Sequence, residues 1–226
     1  MGDGGRDWDA REVGITSARA VIRPFTAGDA DEVLACITPA ITRWMSWEVP
    51  SSPEAFALVW LKWLPSIDDG TDLHFVVRRL ADGRCLGLVG LHRAQTEAPE
   101  LGIWIREDVH GQGFGREAVA AVAAWASENL HPSHFEYPVA EENAASRRIA
   151  EHLGGSVVAR RSNPKYVSVV YRIPAPRAGE GRLVQVHDRN GAIDVAAFQA
   201  LDDTAKHDVG RMSSMASMNA VRNAGS

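Results

Sequence analysis

Leu101-Gly-Ile-Trp-Ile-Arg-Glu-Asp-Val-His-Gly-Gln-Gly-Phe-Gly-Arg116 reads as a strand that runs through a glycine-rich turn and opens a long helix. Such a junction is an anion trap. The first amides of a helix have no partner inside it, and the helix dipole places partial positive charge at that end. Gly111, Gly113 and Gly115 lack Cβ atoms, so phosphate oxygens can approach the backbone and positive φ angles are accessible. The ligand this architecture suits is a pyrophosphate. Two common phosphate-binding turns fail on residues. The dinucleotide fingerprint spaces its glycines G-x-G-x-x-G, whereas here they stand at alternate positions. The P-loop ends in Gly-Lys-Ser/Thr, but Gly115 is followed by Arg116-Glu117.

Working downstream, Phe114–Leu130 is helical, with Phe114, Ala118, Val122, Trp125 and Ala126 on one side. His134–Ala140 alternates through Phe135, Tyr137 and Val139. Asn143–Leu153 is a second helix ended by Gly154-Gly155, and strands follow at Ser156–Arg161 and Tyr166–Ile173. Upstream, Leu73–Leu80 and Cys85–Arg93 form a hairpin about Asp82-Gly83, and Pro99–Arg106 is the next strand. Ala18–Phe25 is a further strand. A helix starts after Thr26 and stops before Pro39, and residues 40–50 form an aromatic-rich loop. A helix capped by Ser51 or Ser52, with Pro53 first, carries Phe56, Trp60, Trp63, Leu64 and Ile67 as one apolar stripe. The order β-α-α-β-β-β-α-β-α-β-β is a mixed α/β layer with one strand–helix–strand crossover at its centre.

The chain has 226 residues, 45% hydrophobic, enough for one core and cramped for two. Residues 1–17 read as a flexible N-terminus, 18–174 as the domain, and 175–226 as a partly disordered C-terminal extension containing a linker, a short strand and a short helix. A net charge of −5 argues against nucleic acid as a partner. Cys36 and Cys85 read as free, buried thiols in a reducing compartment. His131 and His134 lack carboxylate partners at metal-ligand spacing, so no metal is expected. No signal peptide or membrane-length apolar stretch is read, and a cytoplasmic location is expected.

Three segments together resemble the GNAT acetyltransferase superfamily. His110-Gly-Gln-Gly-Phe-Gly115 is similar to its Q/R-x-x-G-x-G/A turn, with His110 replacing the usual Gln or Arg. Glu100-Leu-Gly-Ile-Trp-Ile105 resembles A-E-I-G-Y-W-L. Glu141-Glu-Asn-Ala-Ala-Ser-Arg-Arg-Ile-Ala-Glu-His-Leu-Gly154 resembles E-N-x-x-S-x-R-x-x-E-K-x-G. With Trp44–Pro50 and Gly90-Leu-His-Arg93, the pattern is similar to the RimJ/RimL branch, which acetylates protein N-termini and some small amines. The resemblance covers about residues 18–174.

That resemblance implies a mixed, mostly antiparallel central sheet with helices on both faces. It also implies a wedge where the family's fourth and fifth strands, here Pro99–Arg106 and His134–Ala140, splay apart. Pro138, which has no N–H to give, fits a strand already parted from its neighbour. Acetyl-CoA is the implied cosubstrate, its pantetheine arm on the main chain of Ile103, Trp104 and Ile105 and on Asn143. The turn residues His110, Gly111, Gln112, Gly113, Phe114, Gly115 and Arg116 would hold the diphosphate. The Ile105 amide is a candidate donor to a developing oxyanion. Glu100 reads either as the base or as a solvated strand-end acid. The tyrosine that many members use as acid falls at Ala150 here, so Ser146 takes the role by resemblance; its other reading is a hydroxyl bonded to its own helix. Gly155 stands where the family usually has Phe. Trp44, Trp47 and His92 are candidate acceptor contacts, with loop anchoring or a structural histidine as the alternatives. The implied activity moves an acetyl group to a primary amine, of a protein N-terminus or a small molecule, by direct attack in a ternary complex. The alternative is an inactive module that binds CoA or a peptide. Monomer and homodimer both remain open.

Overall fold

Period-two alternation in the sequence becomes one eight-stranded sheet in the computed structural model, which describes residues 8–176. The strands are β1 (Ile15–Thr16), β2 (Ala20–Pro24), β3 (Leu73–Arg79), β4 (Cys85–His92), β5 (Glu100–Ile105), β6 (His134–Ala140), β7 (Ser156–Ser162) and β8 (Val167–Pro174). Their order across the sheet is β1-β2-β3-β4-β5-β6-β8-β7. All neighbours are antiparallel except β5 and β6, which are parallel. The described residues all belong to one compact unit. The linker, short strand, short helix and tail read over residues 177–226 lie outside the described residues.

Six α-helices accompany the sheet among the described residues: α1 (Ala30–Cys36), α2 (Pro39–Thr42), α3 (Pro53–Trp60), α4 (Trp63–Asp68), α5 (Phe114–Asn129) and α6 (Ala144–His152). Cys85 to Val89 of β4 are buried at five successive positions, which requires cover on both faces. Helix α5 supplies one cover, and α1 with α4 the other. Phe114, Ala118, Val122, Trp125 and Ala126 are all buried, as their spacing predicts. Both cysteines are buried and free. Asp29 is also buried. Its carboxylate takes hydrogen bonds from Arg23, from Arg78 and from the Thr26 amide and hydroxyl. Burial works against its charge, but those donors outweigh it and hold the carboxyl at about 2.

Three expectations change. Residues 8–17, read as a flexible lead-in, are part of the fold: Ala10–Glu12 forms a 3-10 turn capped by Asp9, and β1 pairs with β2. The cause is local apolar burial, with Ala10, Val13 and Ile15 in the core and Trp8 edge-on against Trp125 at 5.2 Å. The single helix read after Pro53 is two. Pro65 has no N–H for the Leu61 carbonyl and its ring crowds that carbonyl, so the helix breaks at Leu61–Lys62. Across the break Trp60 and Trp63 both still reach Phe25. Finally, the loop read over residues 40–50 starts within a turn of helix, α2, because Thr38 caps it and Pro39 occupies its first position.

Between β5 and β6 the sheet opens. Along the whole of both strands a single pair, Glu100 with Glu136, is in register. Beyond it the strands part.

Candidate active site

Strand alternation fixes which backbone groups line this opening. The Arg106 amide donates to the Leu86 carbonyl at 2.8 Å, so it faces β4. Successive residues of a strand turn their amides to opposite edges, so those of Ile103 and Ile105 face the gap. On the other wall the Glu136 amide donates toward β5, to the Pro99 carbonyl at 2.9 Å. Pro138, two residues on, therefore presents its missing N–H to the gap. A proline is tolerated there because no ladder bond is lost.

The glycine turn closes one end of the gap. Gly111 and Gly113 adopt φ of 75° and 84°, and Gly113 is the N-cap of α5 with no side chain capping the helix. Among the described residues nothing accepts a hydrogen bond from the amides of Gly111, Gly113, Phe114, Gly115 or Arg116. Five donors at the positive end of a 16-residue helix are thus left open. Gly115 matters for closeness instead: a Cβ there would stand 3.4 Å from Ile149 and 3.6 Å from both Ile103 and Ile105.

Arg19, which the sequence reading does not single out, braces the turn from outside. It lies over the Phe114 ring at 4.4 Å, donates to the Gln112 carbonyl at 3.0 Å and pairs with Glu117 at 2.7 Å. The Gln112 side chain donates to the Asp108 carbonyl and does not line the groove. His110 does line it, but Nε2 is spent at 2.6 Å on the Ile105 carbonyl, tying the turn to the end of β5.

Helix α6 forms the opposite lip. Asn143 caps it, its Oδ1 accepting from the Ser146 amide at 3.1 Å. The Ser146 hydroxyl bonds the Tyr137 hydroxyl at 2.6 Å instead of its own helix backbone. Burial pushes the Tyr137 phenol up to about 12, against the opposing bond from Ser146. Tyr137 was legible as an inward strand residue, but no spacing rule pairs it with Ser146. Arg116 and Arg148 line the same groove with no hydrogen bond or ion pair among the described residues.

These walls enclose a groove of about 1020 Å³. Ile103, Trp104, Ile105, His110, Gly111, Gly113, Phe114, Gly115, Arg116, Asn143, Ser146 and Trp44 all line it. Trp44 carries the Arg43 guanidinium over its ring at 4.4 Å. Besides Gln112, three candidates lie elsewhere. Trp47 is 37% exposed and contributes its carbonyl to Lys165 at 3.1 Å. Glu100 stands at the closed end of the gap, bonded to Arg161 at 3.1 Å and Arg93 at 3.4 Å, and the same two arginines hold Glu136. His92, directly across from Glu100 in register, has Nδ1 3.4 Å from Asp72. Among the described residues no group of three or more His, Cys, Asp or Glu side chains could hold a metal ion, and no helix is long and apolar enough to cross a membrane.

Comparison with known proteins gives a consistent picture. Residues 19–156 match the family model described as an acetyltransferase (GNAT) domain. No curated protein matches the chain. Among solved structures, RimJ of Mycobacterium smegmatis in complex with CoA-disulfide aligns with a TM-score of 0.64 at 17% identity, covering 74% of this chain and 90% of that one. The ribosomal-protein-S5-alanine acetyltransferase of Vibrio fischeri aligns at 0.64 and 14% identity, covering 73% and 98%. A GNAT-family acetyltransferase of Bacillus anthracis aligns at 0.62 and 17%, covering 72% and 99%. At these identities the likeness is one of fold.

Proposed function

The chain belongs to the GNAT acetyltransferase family, and on that premise we propose that it transfers the acetyl group of acetyl-CoA to a primary amine by direct attack in a ternary complex. The observation that carries this is the parted β5–β6 edge ending at five open amides of the α5 turn. A long ligand with a diphosphate at one end and amide groups along its arm suits such a slot. The turn amides of residues 111–116 would take the diphosphate, with Arg116 and Arg148 as cations that have no partner among the described residues. The main chain of Ile103 to Ile105 and the free amide nitrogen of Asn143 would hold the arm.

The side chains then divide the proton work. The Ile105 amide is placed to donate to the charge that develops on the thioester oxygen. Ser146, its hydroxyl already bonded to Tyr137, gives a proton to the departing sulfur and is resupplied by the phenol. This supplies from a strand what Ala150 cannot supply from the helix. The acceptor approaches beside Trp44, with its ammonium led toward the face that carries Glu100 and His92. That face is opposite α5, so donor and acceptor reach the gap from two sides. The fold does not choose among amines; the Vibrio fischeri enzyme is named for a ribosomal-protein acceptor, and a protein N-terminal α-amine is the first acceptor to try. Its ordinary pKa of about 7.7–8.0 leaves part of it already neutral at pH 7.

The test is release of free thiol from acetyl-CoA across a panel of N-terminal peptides and small amines, alongside the melting temperature with and without millimolar acetyl-CoA. Acetyl-CoA should raise the melting temperature by binding the native state, and at least one amine should give saturable thiol release. A melting shift without release on any acceptor would favour a binding module over an enzyme. No melting shift would remove the reading altogether.

A further inference from the structure

We propose that His92, oriented by Asp72, is the base that takes the proton from the incoming ammonium; this rests on the acetyl-transfer reading above. Three observations lead to it. First, Asp72 is itself fixed: its Oδ1 accepts the Arg93 amide at 2.9 Å and lies 3.4 Å from His92 Nδ1. A carboxylate held by backbone and facing one imidazole nitrogen leaves the other nitrogen free to receive a proton. Separations of this size before substrate binds are normal for such pairs.

Second, the other ring nitrogen stands over the sheet where β4 meets β5, one strand from the gap. A Cβ on Gly90 would come within 2.5 Å of His92 Nε2, so the ring lies back across the strand only because Gly90 has no side chain. Gly90 pairs with Gly102 of β5, and the Gly102 Cβ position is 3.9 Å from the same nitrogen. Two glycines facing across adjacent strands leave a depression in the sheet. His92 Nε2 stands over it, and Ile103 and Trp104 of the groove follow directly in sequence. Nothing among the described residues bonds Nε2.

Third, the neighbouring groups favour the imidazole over its rival. Glu100 is opposite His92 on β5, but its carboxylate is shared between Arg93 and Arg161, together with Glu136. Both guanidiniums hold its Oε2 at the closed end of the gap. On β3, His74 packs edge-on against His92 at 5.2 Å and stacks on Trp63 of α4 at 4.4 Å. Burial, and then the charge of His92, hold His74 far down at about 3, so it stays neutral and does not compete. The groups that face His92 are thus a fixed anion, a neutral ring and an already paired carboxylate. The protons balance as follows: the ammonium loses one to Nε2 and the amine attacks the acyl carbon; as the adduct collapses the carbon–sulfur bond breaks and the sulfur takes a proton from Ser146, the second proton of the amine nitrogen restores the Ser146–Tyr137 pair through water, and His92 returns its own to water.

The experiment compares kcat/KM against pH for the wild-type chain, His92→Gln, Asp72→Asn and Glu100→Gln, with an amine the wild type accepts. Acetyl-CoA melting shifts confirm that each variant still folds and binds the donor. His92→Gln should lose about 10²-fold in kcat/KM, the general-base range, and lose the acidic limb of the profile. Asp72→Asn, a positioning residue, should lower kcat while leaving the acetyl-CoA KM unchanged. Glu100→Gln should keep the acidic limb. A limb that survives in His92→Gln, or vanishes in Glu100→Gln, overturns the assignment while leaving acetyl transfer intact. A wild type that accepts no amine overturns both.

Discussion

Tyr137 and Ser146 show at the residue scale why an apparent gap in a motif need not be a gap in chemistry. Ala150 occupies the helix position from which a phenol would act, yet a phenol arrives from β6 and meets Ser146 at 2.6 Å. Ser146→Ala should lower kcat by about 10²-fold with little change in the acetyl-CoA KM. Tyr137→Phe, which keeps the ring in the core and removes only the hydroxyl, should lower kcat by roughly tenfold on the same reasoning. Steady-state kinetics with a fixed amine checks both; equal losses in KM instead would mean that the pair only shapes the groove. His74 supports a stability prediction. Its folded pKa of about 3 lies below the ordinary value of 6.5, burial being the main cause. The unfolded chain therefore binds a proton that the folded chain refuses between those values, and stability drains away as pH falls from about 6.5 toward 3. His74→Phe keeps a ring on Trp63 without the titrating nitrogen, so its urea midpoint should vary less than the wild type's between pH 7 and pH 4.

At the scale of elements, the turn before α5 was legible because its function is backbone-borne. Glycines at 111 and 113 announce positive φ in the sequence itself, and the structure has it at both. Gly113→Ala should strain the turn by about 1–2 kcal/mol and weaken acetyl-CoA binding at least tenfold, measured by calorimetry. Arg19→Ala should weaken it severalfold, since the Gln112 carbonyl and Glu117 lose their brace. A donor affinity untouched by either change would mean that the diphosphate does not sit at this turn. Arg19 itself was not legible: it reaches the turn from 93 residues away in sequence, and no local pattern encodes that. The same limit hid the partners of Glu100, because a solitary strand-end acid and one held by two arginines read alike. Two helix boundaries that the sequence did not reveal by periodicity do carry a local signal. Pro65 in the middle of the stripe breaks the helix, and Thr38-Pro39 starts one.

For the whole molecule, alternation and glycine punctuation were enough to locate seven strands along the chain. The eighth, β1, is two residues long and carries no periodicity to detect. The parted pair was implied by the family resemblance, which Pro138 fits, but its depth depends on tertiary packing of α5 and α6 on either side of the gap. Stability and site are built in different places, which makes them separable by experiment. Asp29 lies where β2, β3 and the approach to α1 meet, and it appears in no wall of the groove. Removing one partner from a buried charge cluster costs about 3–5 kcal/mol, and because Arg23 and Arg78 keep some contact with water we expect roughly 2–3 kcal/mol for Asp29→Asn. For a unit of this size that is a fall in Tm of roughly 4–12 °C. Since the carboxyl is held at about 2, its contribution is complete above the unfolded value near 3.8 and is lost as pH falls through about 2. The destabilisation by Asp29→Asn should therefore be constant from pH 8 to pH 5 and shrink only in strong acid. The upward Tm shift given by saturating acetyl-CoA should be the same in the variant as in the wild type, because the groove is built by β5, β6, α5 and α6 and does not rest on this cluster. A variant that loses the ligand shift along with its stability would show that the two ends of the sheet are coupled.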